Sequence, residues 1–407
     1  MRILIFHNRY QQPGGEDLVV KAEMGLLRSK GHEVELFEEN NDSIVGWIGA
    51  ASTAIESVYS FPAARAVKQR IDLFRPDIVH VHNFFPRLSP SVHYACHEKK
   101  VPVVQSLHNY RLLCPAATFM RDGAVCEDCV GKAVPWPAVK YSCYRSSRLA
   151  SAAVTSMLAV HRGLHTWTRK VTQFIALTEF ARNKFVSGGL PANQITIKPN
   201  FVAVDHGMGA GKGGYALFVG RLSEEKGLAT LLEAWKKIRG RCLLKIAGDG
   251  PMAPMVREVA STVAGIEWLG TRSRDEVSSL MANAAFLVFP SICYETFGLS
   301  IIEALSVGLP VIASSLGAMA ELIKDGSTGK LFQAGSSDEL AKTIDWAFAN
   351  PDALQAMRFD ARREFELKYT AESNYTQLIG IYQDAIAAVA ANQTVKNYAL
   401  QSQSDTL

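Results

Sequence analysis

Three short segments in the second half of the chain carry side chains whose types and spacing suit a ligand that is both anionic and rich in hydroxyls. The first, GRLSEEKG from Gly220 to Gly227, sets Arg221 and Lys226 on either side of a turn. A guanidinium can grip a phosphate in bidentate fashion, an ammonium adds a compact charge, and a helix starting near Leu228 would add free N–H groups and its positive end. That set fits a diphosphate; it also fits surface charges paired with Glu224 and Glu225, which contribute little. The second, AGDGP from Ala247 to Pro251, follows a β-rich run. Its Gly248, Asp249 and Gly250 are turn-forming residues that let backbone approach a flat ligand closely. The third, YETFGLSIIEALSVGLPVIAS, runs from Tyr294 to Ser314 and holds Glu295 and Glu303 with FGLS between them. A helix starting near Gly298 puts Glu303 on its second turn and leaves Glu295 in the loop before it. The amides of Phe297, Gly298 and Leu299 then lie between two carboxylates, so that carboxylates can accept from sugar hydroxyls while amides receive a phosphate.

The first half offers fewer groups. His108 follows the β-rich run VPVVQSL and His82 follows DIVHV, so each stands at the carboxyl end of an expected strand; lone histidines there are more often structural than catalytic, and position favours His108. Gly14 and Gly15, in GGED, lie between the first strand and the first helix, where a ligand-facing loop belongs, although paired glycines are also ordinary turn residues.

Alternating β-rich and helix-length segments must position these residues. Arg2 to Phe6, Val34 to Phe37, Asp77 to His82, Val101 to His108 and Gln173 to Thr178 predict parallel strands in a first domain over 1–202. The glycine-rich AVDHGMGAGKGG of 203–214 reads as a hinge. Strands at Tyr215 to Gly220, Leu243 to Gly248, Ala285 to Pro290 and Pro310 to Ser314 then predict a second domain over 215–370. A helix over 371–391, with the option of crossing back to the first domain, precedes a polar stretch at 392–407 expected to be disordered. The fold class is α/β, two Rossmann-like doubly wound domains whose carboxyl strand ends face one cleft.

Bulk properties agree and exclude alternatives. The chain has 407 residues, more than one core usually organises; 48% are hydrophobic and 20% charged, as in soluble globular proteins. MRILIFHN opens directly on an apolar strand without the features of a secretory signal, and no long apolar run spans a bilayer, so a cytoplasmic setting is expected. A net charge of +4 and no basic–aromatic repeats argue against nucleic acid. Two segments stand apart. Cys126 and Cys129 form a C-x2-C knuckle flanked by Cys114 and Cys143, all within an insertion over 114–143. The four cysteines suit a structural zinc, an iron–sulfur cluster less well, or unligated thiols or redox pairing. Between Gly131 and Thr178 stand Lys132, Lys140, Arg145, Arg148, Arg162, Arg169 and Lys170, with no Asp or Glu. An apolar series Leu149, Ala153, Met157, Val160, Leu164, Trp167 keeps helical spacing there, with Trp136, Tyr141 and Tyr144 upstream. Such a helix can rest on an anionic membrane surface or be a core helix with a solvated basic face.

Taken in order, GR-x4-KG, GDGP and E-x7-E followed by EALS-x-G-x-PV resemble glycosyltransferase family 4, and the two-domain plan extends the resemblance over most of the chain. The resemblance implies a GT-B fold and a retaining, hexosyltransferase-type enzyme with no catalytic metal or other cofactor. It implies a nucleotide-diphosphate sugar donor, UDP- or GDP-linked. Arg221 and Lys226, with the turns at Gly220 and at Gly248, Asp249 and Gly250, would bind the donor; Glu303 would take the ribose hydroxyls; Glu295, Phe297, Gly298 and Leu299 would line the transferred sugar. Gly14 and Gly15 resemble the family's glycine loop, and His108 in SLHN its first-domain histidine near that sugar. With retention and no agreed nucleophile, Glu295 is placed beside the sugar, and front-face attack assisted by the leaving diphosphate is the usual interpretation. The implied acceptor is a glycan, plausibly lipid-linked, in bacterial surface polysaccharide assembly at the inner face of the plasma membrane. The competing readings are an epimerase or phosphorylase on the same plan, for which no pyridoxal-binding lysine is evident, and a non-catalytic glycan-binding protein, against which the intact Arg221, Lys226, Glu295 and Glu303 speak.

Overall fold

The computed structural model describes residues 1–9, 14–40 and 54–404, of which 392–404 as backbone only. In the first half, β1 (Arg2–Arg9), β2 (Glu33–Asn40), β3 (Ile78–Asn83), β4 (Val103–Ser106), β7 (Gln173–Ala176) and β8 (Ile195–Ile197) form one parallel sheet in the order β2-β1-β3-β4-β7-β8. The short strands β5 (Met120–Arg121) and β6 (Ala124–Val125) make a separate hairpin inside the cysteine-rich insertion. In the second half, β9 (Tyr215–Val219), β10 (Leu243–Ala247), β11 (Ile266–Gly270), β12 (Phe286–Phe289), β13 (Val311–Ser314) and β14 (Gly329–Phe332) form a second parallel sheet, ordered β11-β10-β9-β12-β13-β14. Central strands such as Ile3 to Phe6 and Phe286 to Val288 are apolar at every position and buried, because helices cover both sheet faces. The edge strands β8, β11 and β14 escape the sequence pattern: they are short or interrupted by polar residues, and only one neighbour holds each of them.

In the second sheet the chain order reverses between β9 and β12, and in the first between β1 and β3. Such reversals open a crevice at the carboxyl ends of the strands, since the connecting helices leave to opposite faces. Gly220 and Arg221 follow β9, the 290–298 loop follows β12, and Asn83 ends β3 with His108 just beyond β4.

The segment 203–214 is strapped to the second domain rather than left free as a hinge. Gly209 N–H donates to Val307 O, Gly211 N–H to Ala282 O and Gly213 N–H to Asn283 O. A Cβ on Gly209 would stand 2.3 Å from Ala282 O, so glycine is there to let two backbones touch. Arg362 adds a fork to Asp205 at 2.6 and 2.7 Å. The chain crosses between domains just before this strap and returns at 369–374, where the two crossings are tied together: Val202 N–H donates to Tyr369 O, and Asn374 Nδ2 to Pro199 O.

The last helix, Ala371–Ser404, returns to the first domain. Leu378, Ile381, Tyr382 and Ala385 close the face of the first sheet made by Ile3, Ile5 and Val104, and Leu378 and Ile381 contribute roughly 1.5–3 kcal/mol each by burial. Its backbone continues past Ala391 to Ser404, where an unstructured stretch was expected; residues 405–407 of that stretch lie outside the described ones.

The two domains also meet at the bottom of the cleft. The N-terminal amides of the helix Glu179–Ser187 donate to both oxygens of Glu321 at 2.8 Å each, a carboxylate docked on a positive helix end. Thr178 Oγ1 donates to Thr296 O.

Candidate active site

On the second-domain wall, loops 220–227 and 247–252 lock together. Leu222 N–H donates to Asp249 O and Met252 N–H to Leu222 O, and a Cβ on Gly248 would fall 1.9 Å from Gly220 O. Gly248 and Gly250 therefore serve loop-to-loop contact, packing against Gly220 O and Leu222 O. Asp249 is exposed, and its Oδ1 accepts from Gly250 N–H. Locked this way, the turn holds Arg221 outward into solvent and brings Lys226 under the 290–298 loop, where its Nζ meets Glu295 Oε1 at 2.6 Å. Ser291 Oγ donates to the same carboxylate oxygen at 2.8 Å. Burial works against the Lys226 ammonium, but the charge and hydrogen bond of Glu295 outweigh it and hold its pKa above the ordinary lysine value. Lys226 is thus a fixed cation.

The helix after Glu295 spans Leu299–Ser306 with Gly298 as its N-cap, as the sequence implies. Ile301 and Ile302 N–H both donate to Gly298 O, which leaves the Leu299 and Ser300 amides ahead of them as the helix's open N-terminal donors. Glu303 lies on the second turn; burial pushes its pKa up, opposed by Arg274, which sits at the start of the helix Arg274–Asn283. The ring of Phe297 turns away from the loop. It is 6% exposed and packs against Tyr369 at 6.2 Å, so it belongs to the core.

The opposite wall comes within contact. A Cβ on Gly15 would stand 2.7 Å from Leu299 Cδ1, so the start of the first helix, Gly15–Ser29, faces the start of the Leu299–Ser306 helix across the cleft. The turn is fixed by Asp17, whose Oδ2 accepts from Gly14 N–H at 2.6 Å while Oδ1 bonds His7 Nε2 at 2.8 Å. Beside it, Tyr110 OH donates to Glu295 O at 3.1 Å and Thr296 Oγ1 to His108 O at 2.8 Å, tying the loop after β4 to the donor-side loop. His108 is half-buried and its Nε2 shares a proton with His82 Nδ1 at 2.9 Å. Burial drives the His108 pKa down to about 3 despite the pull of Glu23, so the ring is neutral. A small cavity of about 20 Å³ lies between His82, His108, Asn109 and Arg111.

Sequence reasoning missed what lies behind His108. Glu23, on the first helix, is 1% exposed and meets Lys198 Nζ at 3.5 Å, His80 Nδ1 at 3.3 Å and His82 Nε2 at 4.0 Å. His80 in turn bonds Tyr382 OH and Ser106 Oγ. Among the described residues, Glu23, His80 and His82 are the group whose ligand atoms lie within 4.8 Å of one another. A cation is disfavoured there: both His80 nitrogens are engaged, and the Lys198 ammonium already balances the carboxylate. A buried glutamate facing an apolar helix stripe was the one available signal.

The basic segment is also partly reassigned. Helix Arg148–Gly163 buries Val154, Met157, Leu158 and His161 and leaves Leu149, Val160 and Leu164 exposed, so the expected apolar series is split between core and solvent. Arg162 is structural, donating to the carbonyls of Lys132 and Leu112. No helix among the described residues is long and apolar enough to cross a membrane.

Comparison with known proteins agrees with this geometry. The model of Glycosyltransferase Family 4 matches residues 13–206 and that of Glycosyl transferases group 1 matches 209–364. A phosphatidyl-myo-inositol mannosyltransferase of Mycobacterium leprae is 30% identical over 56% of this chain and 63% of its own length; the chain spans about half the length of other curated relatives that it matches. Among solved structures, an Anabaena protein, HepE, in complex with UDP and glucose superposes with TM-score 0.66 at 18% identity, over 93% of this chain and 98% of that one. Sucrose-phosphate synthase from Thermosynechococcus elongatus gives 0.71 at 17% identity, over 95% and 99%. These likenesses extend the two-sheet plan to proteins with GT-B architecture. With one model matched on each wall of the cleft, the chain belongs to glycosyltransferase family 4, the group 1 glycosyl transferases.

Proposed function

We propose that this chain transfers a sugar from a nucleoside diphosphate donor to a glycan acceptor. The carrying observation is the fixed Lys226–Glu295 pair beside the open N-terminus of the Leu299–Ser306 helix, faced by Gly15 and the neutral His108. In this reading Arg221 and Lys226 take the diphosphate and the helix amides assist; the protonation-prone Glu303 takes the ribose hydroxyls. Glu295, pinned by Lys226 and Ser291, receives hydroxyls of the transferred sugar. His108, uncharged, offers the sugar a hydrogen bond without repelling a developing positive charge at the anomeric carbon.

The reaction retains configuration by front-face attack. The bond from the anomeric carbon to the β-phosphate oxygen breaks, the acceptor hydroxyl oxygen bonds to the same face, and its proton passes to the departing phosphate. Lys226 and Arg221 stabilise the charge that develops there. A uridine donor is the first to test, since the Anabaena neighbour holds UDP. The acceptor is a lipid-linked glycan of a bacterial surface polysaccharide, met at the cytoplasmic face of the membrane. That reading is supported by exposed Trp136, Tyr141, Leu149 and Leu164 among Lys132, Lys140, Arg145 and Arg148.

A donor that binds only the folded state raises the melting temperature, by about 2.7 kcal/mol of stability at a hundred times its Kd. A panel of UDP- and GDP-sugars should show one clear stabiliser that also releases nucleotide slowly without acceptor. If no donor shifts the transition and none is hydrolysed, the reading fails. Sedimentation with vesicles should rise with anionic lipid; indifference to lipid charge removes the membrane clause alone.

A further inference from the structure

We infer that Cys114, Cys126, Cys129 and Cys143 bind one zinc ion, and that this ion holds the 114–143 insertion as a clasp on the donor-side loop of the second domain. The four residues reach one place from four directions. Cys114 closes the turn after Tyr110, its N–H donating to Tyr110 O; Cys126 follows the β5–β6 hairpin, its N–H donating to Phe119 O; Cys129 is one turn further on; Cys143 is tied back to Ala138 O. All four line a cavity of about 10 Å³, closed on one side by Pro137 and Ala138. That is room for about one water-sized body, lined by the four cysteines with Met120 and Arg121. The other cysteines, Cys96, Cys242 and Cys293, are buried at separate points of the fold.

The insertion needs such a staple. Its regular structure amounts to two strands of two residues and the helix Pro137–Lys140, and between Met120 and Trp136 only Cys129 and Pro135 are buried. A segment with so little apolar burial does not order itself by packing, and small scaffolds of this kind are held by metals or cross-links. A C-x2-C knuckle with two further thiolates gives zinc its preferred tetrahedral sulfur set, with Zn–S near 2.3 Å. No three of these sulfurs lie within 4.8 Å of one another, so the insertion must close on the ion as it displaces their protons. Arg121, also on the cavity wall and paired with Asp128 at 2.7 Å, is the cation nearest the four thiols.

What the ion would hold is the contact between domains. Glu127, inside the knuckle, accepts from Tyr294 OH at 3.0 Å and from Lys184 Nζ at 2.7 Å. The Phe119 ring meets the Tyr294 ring edge-on at 5.9 Å, and Tyr294 immediately precedes Glu295. A Cβ on Gly123, at the hairpin tip, would reach 3.7 Å from Glu224 Oε1 in the other donor-side loop. The clasp thus touches both loops that carry Lys226 and Glu295, whatever substrate they bind.

The full-length protein, purified under reducing conditions without chelator, should contain about one zinc per chain by mass spectrometry of the metal. The double substitution Cys126→Ser with Cys129→Ser should lose it, and Cys242→Ser should keep it. Because the double variant could misfold, wild-type protein reloaded with cobalt(II) is the second arm, and it should show intense thiolate-to-cobalt charge-transfer bands and tetrahedral ligand-field bands. A metal content near zero, iron with acid-labile sulfide, zinc retained by the double variant, or a cobalt spectrum without thiolate bands would each overturn the site. For the clasp, stripping the metal from wild type should speed amide hydrogen exchange in 290–296 as well as in 114–143. Faster exchange confined to the insertion would overturn the coupling.

Discussion

The two walls of the cleft hold their polar groups in opposite ways. On the donor side the charges sit on short loops at the surface of a sheet: Arg221 is exposed, and Lys226 and Glu295 are partly so, with their positions fixed by backbone-to-backbone contacts between neighbouring turns. On the other side the groups are stacked inward behind a single ring, from His108 to His82 and on to Glu23, Lys198 and His80, with Glu23 and Lys198 each 1% exposed. The first arrangement presents fixed charge to an anionic ligand. The second uses burial to keep an imidazole neutral where uncharged hydroxyls and a developing cation would lie. The comparison teaches that the first wall is built by local turns and the second by long-range packing, so damage should show as lost turnover at the donor loops and at His108, and as lost stability in the groups buried behind it.

The sharpest break in that comparison is Glu23→Ala. It strands the Lys198 ammonium in the interior, and removing one partner of a buried pair costs about 3–5 kcal/mol. Urea unfolding followed by circular dichroism should register that loss; a change within about 1 kcal/mol would mean the inner network does not hold the wall. Next in size is Lys226→Ala, which should cut turnover by about 100- to 1000-fold, the scale seen when one group stabilising transition-state charge is removed. Its effect on stability should stay below the ~3–5 kcal/mol of breaking a fully buried pair, since the side chains are 26% and 15% exposed, and acceptor KM should move little. Near-normal turnover would strip Lys226 of its assigned role. His108→Ala follows, with a loss of at least about tenfold, or ~1.4 kcal/mol of barrier, in a protein that keeps its circular dichroism spectrum. Full activity would leave His108 as part of the packing.

The same contrast explains what was readable in the sequence. The donor wall lies within one run of chain, so Arg221, Lys226, Glu295 and Glu303 could be picked out by type and spacing, and the helix beginning after Gly298 follows from its cap. Two details there needed the fold. Phe297 turns inward to meet Tyr369, far along the chain, and Gly248 packs against Gly220 O in the neighbouring loop. The first-domain wall is assembled from Gly15, Glu23, His80, His82, His108, Lys198 and Tyr382, contributed by separate elements. No local pattern links Glu23 to Lys198 or His80 to Tyr382; only the sheet order and the returning C-terminal helix do. The glycines of 203–214 misled for a related reason, since composition alone does not distinguish a free linker from a strap pressed on carbonyls.

Acid offers the finest separation of the two walls. His108 has its pKa lowered to about 3 by burial, against about 6.5 for an unfolded histidine, and burial likewise lowers His82 well below its ordinary value. Between those limits the unfolded chain binds protons that the folded chain refuses, so stability falls as pH drops below about 6.5 and goes on falling toward the folded value. One such group costs about 0.8 kcal/mol at pH 6 relative to pH 8. Glu303 acts with the opposite sign. Its folded pKa is raised by burial, so the folded chain takes up a proton before the unfolded one, and stability is recovered as pH falls toward the ordinary glutamate range near ~4.3. Denaturation midpoints measured from pH 8 to pH 5 should therefore decline in the wild type, and decline less in His108→Gln by about the single-group amount at pH 6. Glu303→Gln should leave the pH 8 to pH 6 decline intact and steepen the lower end. Parallel profiles for wild type and His108→Gln would show that the ring is not held neutral by its surroundings, and the distinction between a charged donor wall and an uncharged acceptor wall would collapse with it.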